Sequence, residues 1–274
     1  MELEQTRREF EQRGLHVAAL SHDSIAVLDF FAKRKGITYP LLSNVESAAA
    51  ATLGIVNPNY KPGDDLHGMP FPGTFFIDEN GVVVDKFFES DHRERYTAST
   101  MLVKHFHDPA GKALATSETK HLKLTSSASE EIVEAGNRIT LSLQIELKPQ
   151  MHVYAPGIEG GYIPIRWKMP DSAGWAVTVP SYPDSQDLHL PAINETVPVY
   201  EGSFVITRDL VIGQDKEIKP LLQNGALRVE GAFRYQACDD KMCFTPQTVP
   251  LSWSFQVNAH DEVEAPAELR HYKK

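Results

Sequence analysis

Cysteine is nearly absent from this sequence. Its 274 residues include two cysteines, Cys238 and Cys243, so nothing before position 238 supplies a sulfur nucleophile or a thiolate metal ligand. Long apolar runs are missing as well: none approaches the roughly 20 residues that span a bilayer, so membrane insertion is not expected. There is no excess of positive charge. A formal net charge of −10 repels polyanions, so neither nucleic acid nor an anionic membrane is expected as a partner. The glycines show no phosphate-cradling pattern, and no cofactor is expected. The first residues, "MELEQTRREFEQRG", are charged and helical, without the apolar segment of a signal peptide. As it stands this reads as a cytoplasmic chain; a periplasmic location fits if the native chain begins before Met1.

What remains divides into two patterns. Residues 1–108 alternate helical and strand signals. "SIAVLDFFAKRKG" carries Ile25, Leu28 and Phe31 at helical spacing, with Ser24 as N-cap and Gly36 as stop. "LHVAALS" reads as a buried strand, "YPLLSN" as a short strand, "VESAAAATLGI" as a helix ending at Gly54, and "TFFIDENGVVVDKFF" as a hairpin turning at "ENG". "RERYTASTMLVKHF" reads as a closing helix. Strands alternating with helices imply a parallel or mixed α/β sheet. Residues 109–119 lose periodicity and read as a linker. Residues 120–258 are short strands punctuated by Pro and Gly, which implies an all-β sandwich. Residues 259–274 read as a polar tail.

The first half, through "PFPGTFFID" and its hairpin, resembles the peroxiredoxin-type redoxin family (AhpC/TSA), with a thioredoxin-like fold. The resemblance implies a cis-proline at Pro72, a minority state for an X–Pro bond that usually marks a shaped site. In that family a strand leads into a helix whose N-terminus carries the reactive cysteine, where the helix dipole stabilises a thiolate. Here the chain begins inside what looks like that helix, and no cysteine precedes Cys238. The expectation is an incomplete thioredoxin-like domain in a chain shortened from a longer one. Peroxide reduction by this half is not supported.

The stretch 120–258 resembles the N-terminal domain of the thiol:disulfide interchange protein DsbD, an immunoglobulin-like sandwich. "MHVYAPG", "NETVPVYEGSF" and above all "YQACDDKMCFTPQTVPLS" carry the likeness. It implies that Cys238 and Cys243 sit on facing strands and exchange between dithiol and disulfide, passing electrons to or from a thioredoxin-like or other redox protein. It also implies an aromatic cap over the sulfurs. "NETVPVYEG" is the matching stretch, so Tyr200 is the cap candidate, with Glu195 and Glu201 beside it, and Tyr154 approaches the pair. The family usually has five residues between its cysteines; here there are four, which tightens the loop.

The same residues, without the family, leave three readings. As a staple, a six-residue ring is worth roughly 2 kcal/mol in the chain-entropy account, against nearly 5 for a loop of about 100 residues. A metal clamp would need four donors, and beyond Asp239 and Asp240 nothing nearby completes a set, so no metal is expected. A redox pair in a small ring fits reducibility. Asp239 and Asp240 disfavour a thiolate and Lys241 favours one. A binding or scaffold module with a structural disulfide remains the alternative to a thiol–disulfide relay.

Overall fold

The computed structural model describes residues 2–64, 67–91, 93–108, 111–190, 194–259, 263 and 266–269. The chain forms two compact units. One contains residues 1–102, and the other spans 103–259.

In chain order the first elements are α1 (Glu2–Gln12), β1 (Ala19–Ser21), α2 (Ile25–Lys35), β2 (Leu41–Ser43), α3 (Ala48–Thr52), β3 (Gly73–Ile77), β4 (Val83–Phe88), β5 (Arg95–Tyr96) and α4 (Ala98–Phe106). The helix signals work as read. Ser24 accepts a hydrogen bond from the Val27 N–H. Gly36 adopts the left-handed conformation at φ 66°, and its N–H reaches the Ala32 carbonyl. Phe10 of α1 packs against Phe76 of β3, which in turn meets Phe87 of β4 edge to face. The expected single mixed sheet is instead two ladders. β1 and β2 pair in parallel, and β3 and β4 pair antiparallel.

Pro72 requires a correction, because no peptide bond in the described chain is cis. The Phe71 N–H donates to the Ile55 carbonyl and the Pro72 carbonyl accepts from Glu89, so the segment runs extended into β3. A trans bond, the lower-energy isomer, serves that path.

The second unit is built from β6 (Lys112–Glu118), β7 (Leu122–Ala128), β8 (Ile132–Val133), β9 (Asn137–Leu147), β10 (His152–Tyr154), β11 (Arg166–Lys168), β12 (Trp175–Val177), β13 (Gln186–Leu190), β14 (Glu195–Glu201), β15 (Ser203–Ile212), the short helix α5 (Asp215–Ile218), β16 (Ala226–Tyr235), β17 (Ala237–Cys238) and β18 (Gln247–Val257). Three ladders run β12-β15-β9-β7-β6, β11-β16-β18-β8 and β13-β14-β10-β17. All these pairings are antiparallel except β18 with β8. Leu141, Leu143 and Ile145 of β9 meet Phe233 of β16 and Trp253 and Phe255 of β18 in one core. Trp253 stacks on Trp167 at 5.9 Å between centroids.

Two expectations change here. Residues 112–118, taken as linker, form β6 and pair antiparallel with β7, with a register shift between Ala113 and Ala115. Their side chains from Ala113 to Glu118 lie mostly in solvent, so no burial period marks them. "NETVPVYEG", taken as a capping loop, is largely strand β14, paired on one side with β13 and on the other with β10.

Candidate functional site

The cysteine pair lies on the ladder β13-β14-β10-β17, and the alternation of a strand decides what surrounds it. His152 lies opposite Cys238 and Val153 opposite Ala237 across β10 and β17. On the other side of β10, His152 faces Glu201, Val153 faces Tyr200 and Tyr154 faces Val199. One face of the ladder therefore carries Cys238, His152, Tyr154, Val197 and Val199. Of these Tyr154, Val197, Val199 and Cys238 form a small buried cluster, with Leu188 and Leu190 of β13 packed against it. The opposite face carries Val153, Ala237 and Tyr200 into the main core.

That alternation overturns the expected cap. Tyr200 is on the wrong face of β14. It stacks on Phe204 at 4.6 Å and donates its hydroxyl proton to the Pro183 carbonyl. On the cysteine face Tyr162 packs against this cluster, its ring 4.7 Å from that of Tyr154. Its phenol donates to Glu195 of β14, and that bond, with some loss of solvent, pushes its pKa up to about 12. Glu195 thus belongs to the surroundings of the pair, through a different tyrosine from the one expected. Tyr162 follows the glycine-rich run "GIEGG", a segment with no period to read.

Cys238 and Cys243 are joined by a disulfide with a Cα–Cα separation of 4.0 Å. The four residues between them close a tight turn. The Asp239 N–H donates to the Met242 carbonyl at 3.0 Å. The Asp239 carboxylate accepts from the N–H groups of both Lys241 and Met242 at 2.8 Å. These bonds, the one to Lys241 first, hold the Asp239 pKa below its ordinary value. Its carboxylate thus serves the turn. Asp240 and Lys241 point to solvent.

The two cysteine residues differ in exposure. Cys238 is 1% exposed, while Cys243 is an exposed residue beside Met242, which is 58% exposed. Tyr154 reaches both: its hydroxyl oxygen is 3.5 Å from the Cys243 sulfur and 3.6 Å from that of Cys238. Disulfide sulfurs carry no proton, so the phenol is the donor. Burial pushes the Tyr154 pKa up, which keeps that proton in place. Tyr235 and Phe244 pack: Tyr235 donates to Gln247, and Phe244 stacks on His121 at 4.6 Å. His152, not singled out from the sequence, is 3% exposed, and its Nε2 has no hydrogen-bond partner. Its signal was its place two residues before Tyr154, on the same side of the strand. Among the described residues no group of three or more His, Cys, Asp or Glu side chains is arranged to hold a metal ion, and no helix is long and apolar enough to cross a membrane.

Comparison with known proteins finds two family matches along the chain. Residues 1–86 match the family model described as the AhpC/TSA family, and residues 121–252 match the one described as thiol:disulfide interchange protein DsbD, N-terminal. Among solved structures, the N-terminal periplasmic domain of ScsB from Proteus mirabilis is similar at 12% identity and a TM-score of 0.34. That match covers 53% of this chain and 49% of the other. No curated protein matches. A redoxin-type region, a DsbD-type sandwich and a disulfide inside that sandwich together indicate thiol–disulfide redox relay in general terms.

Proposed function

We propose that the chain relays electrons by thiol–disulfide exchange with a thioredoxin-like dithiol protein, and that the partner attacks Cys243. The supporting observation is the difference in exposure: Cys243 is open to solvent and Cys238 is 1% exposed. Exchange requires an in-line approach of a thiolate to one sulfur. The partner thiolate bonds to the Cys243 sulfur, the Cys238–Cys243 bond breaks, and Cys238 leaves as a thiolate beside the Tyr154 hydroxyl. The partner's second thiol, once deprotonated, then attacks its own sulfur in the mixed disulfide and releases Cys243. The partner ends as a disulfide and the chain as a dithiol, so two electrons and two protons have moved. Met242 offers the partner a soft apolar contact next to the attacked sulfur. Tyr162, tied to Glu195, covers Tyr154 and so shields the inner side of the pair. Asp240 and Lys241 form the exposed rim of the loop.

The test is a thioredoxin-fold protein lacking its resolving cysteine, mixed with the oxidised chain. Proteolysis after Lys241 separates the two cysteines, so mass spectrometry reads which one is joined. A cross-link on the Cys243 peptide is expected, and one confined to the Cys238 peptide overturns the assignment. A disulfide potential below about −300 mV would favour the scaffold reading with a structural disulfide.

A further inference from the structure

The relay as written makes no use of a buried histidine on the cysteine face. His152 lies directly opposite Cys238 in the β10–β17 register. Direct cross-strand partners project from the same face with Cβ atoms roughly 4.5–5.5 Å apart. His152 is 3% exposed, and its Nε2 is both out of solvent and without a hydrogen-bond partner. A polar atom left so in the interior is costly unless the site uses it. Its ring meets edge-on, at 5.6 Å, that of Tyr154, whose hydroxyl reaches both sulfurs.

Charge around the ring is one-sided. Glu201 faces His152 across β14, and Asp239 and Asp240 follow Cys238 on the far side. All three favour an imidazolium. Lys241 is the one cation of the intervening loop, and Tyr154 is a neutral neighbour. Burial outweighs the carboxylates and depresses the His152 pKa below its ordinary value. The ring is therefore neutral at neutral pH, with carboxylates in place to stabilise the charge it would gain.

We propose that His152 is the proton acceptor for the Cys238 thiol when the chain is being oxidised. The inference rests on the relay reading above. With Cys243 joined to a partner in a mixed disulfide, Cys238–SH gives its proton to His152. The Cys238 thiolate then attacks the Cys243 sulfur. The Cys238–Cys243 bond forms, the Cys243–partner bond breaks, and the partner sulfur leaves with the electron pair as a thiolate. The chain loses two electrons to the partner, and the imidazolium proton passes to the departing thiolate or to water. In the opposite direction the imidazolium returns the proton to Cys238 as that sulfur leaves. A buried thiol beside acidic residues is a poor source of thiolate by itself, and a neighbouring base answers that need.

The experiment uses the reduced full chain and dithiobis(nitrobenzoate). The first nitrothiobenzoate leaves as the exposed Cys243 is modified, and the second leaves when Cys238 attacks the mixed disulfide. His152→Gln is expected to slow the second release by about ten-fold or more near neutral pH and to leave the first unchanged. Its second-phase rate should then rise in proportion to hydroxide, where the wild type shows a shallower profile. An unchanged second phase in rate and pH profile overturns the role of His152 while leaving the relay intact. A wild type with no second release overturns both. Should the variant fail to fold, the His152 ring titration is followed by NMR in reduced wild type and in Cys238→Ser. A different midpoint in the two is expected, and identical midpoints refute the proton link.

Discussion

Reducing the Cys238–Cys243 bond should leave the sandwich standing. The ring holds six residues, and the chain-entropy account assigns its closure about 2 kcal/mol. For a unit of this size, each kcal/mol moves the midpoint by roughly 2–4 °C, so reduction should lower Tm by about 4–8 °C. Two structural facts keep the loss that small. The main core, with Leu143, Phe233 and Trp253, contains neither sulfur. The turn is also held by bonds that survive reduction, from Asp239 N–H to the Met242 carbonyl and from Phe244 N–H to the Ala237 carbonyl. By the same cycle, folding disfavours reduction by about 2 kcal/mol, or about 40 mV for a two-electron couple. That is too little to lock the pair as a disulfide. The assay is thermal unfolding of the full chain, oxidised and reduced, by calorimetry or circular dichroism. A fall of Tm beyond about 15 °C, or loss of the cooperative transition, would make the bond a staple and defeat the argument.

Three further outcomes follow from named contacts. The Asp239 pKa is depressed by the turn N–H groups, so its support for the turn is full above the ordinary carboxylate range and is lost as pH falls through the folded value. The Lys241 and Met242 amide resonances should therefore titrate with a midpoint below 3.8, the ordinary value; a midpoint at or above it contradicts the bonding. The Tyr162 pKa is raised, so the bond to Glu195 is intact below the ordinary value of 10 and is lost as pH rises through about 12. In Glu195→Gln, phenolate absorbance should show one tyrosine midpoint falling back toward 10, and an unmoved midpoint would dissociate the two side chains. Finally, residues 1–108 should contribute no peroxide consumption, because they contain no cysteine. Consumption that persists after both Cys238 and Cys243 are replaced by Ser would refute this.

What the sequence made legible was set by burial. Val249, Leu251, Trp253 and Phe255 alternate with polar residues along β18, and that period of two is a direct imprint of one inward face. β6 left no such imprint. It is an edge strand of Ala, Thr and Ser whose side chains face solvent, recruited by the backbone groups of β7. Tyr200 shows the limit of locating a residue without its phase. Its stretch does run beside the cysteines, but one residue of shift moves a side chain to the other face, and Val199 occupies the cysteine face. His152 and Tyr162 were hidden for different reasons. The first could have been reached from Tyr154 by stepping two residues, while the second depends on how an aperiodic glycine-rich segment folds back.

The four-residue spacing, shorter than the usual one of the resembled domain, follows from the residue that opens the loop. An aspartate at position 239 can satisfy the two N–H groups of Lys241 and Met242 that a bare turn would leave to solvent. With the Asp239–Met242 backbone bond, this brings Cys238 and Cys243 to the same level across the turn. The approach of the sulfurs is therefore fixed by backbone and side-chain hydrogen bonds as well as by the covalent bond itself. Under the proposed relay the pair alternates between bonded and separate sulfurs, which calls for a loop that holds its shape in both states. Asp239 supplies that, and the Tyr154 hydroxyl on the neighbouring strand lies within 3.6 Å of both sulfurs. Asp239→Ala should therefore leave the disulfide able to form but slow the closing step, since the reduced loop would have to find its turn again. Asp239→Asn, which keeps the acceptor oxygen, should retain most of the rate. If Asp239→Ala closed as fast as the wild type in the same two-phase thiol assay, the loop would owe its shape to the sulfur bond alone.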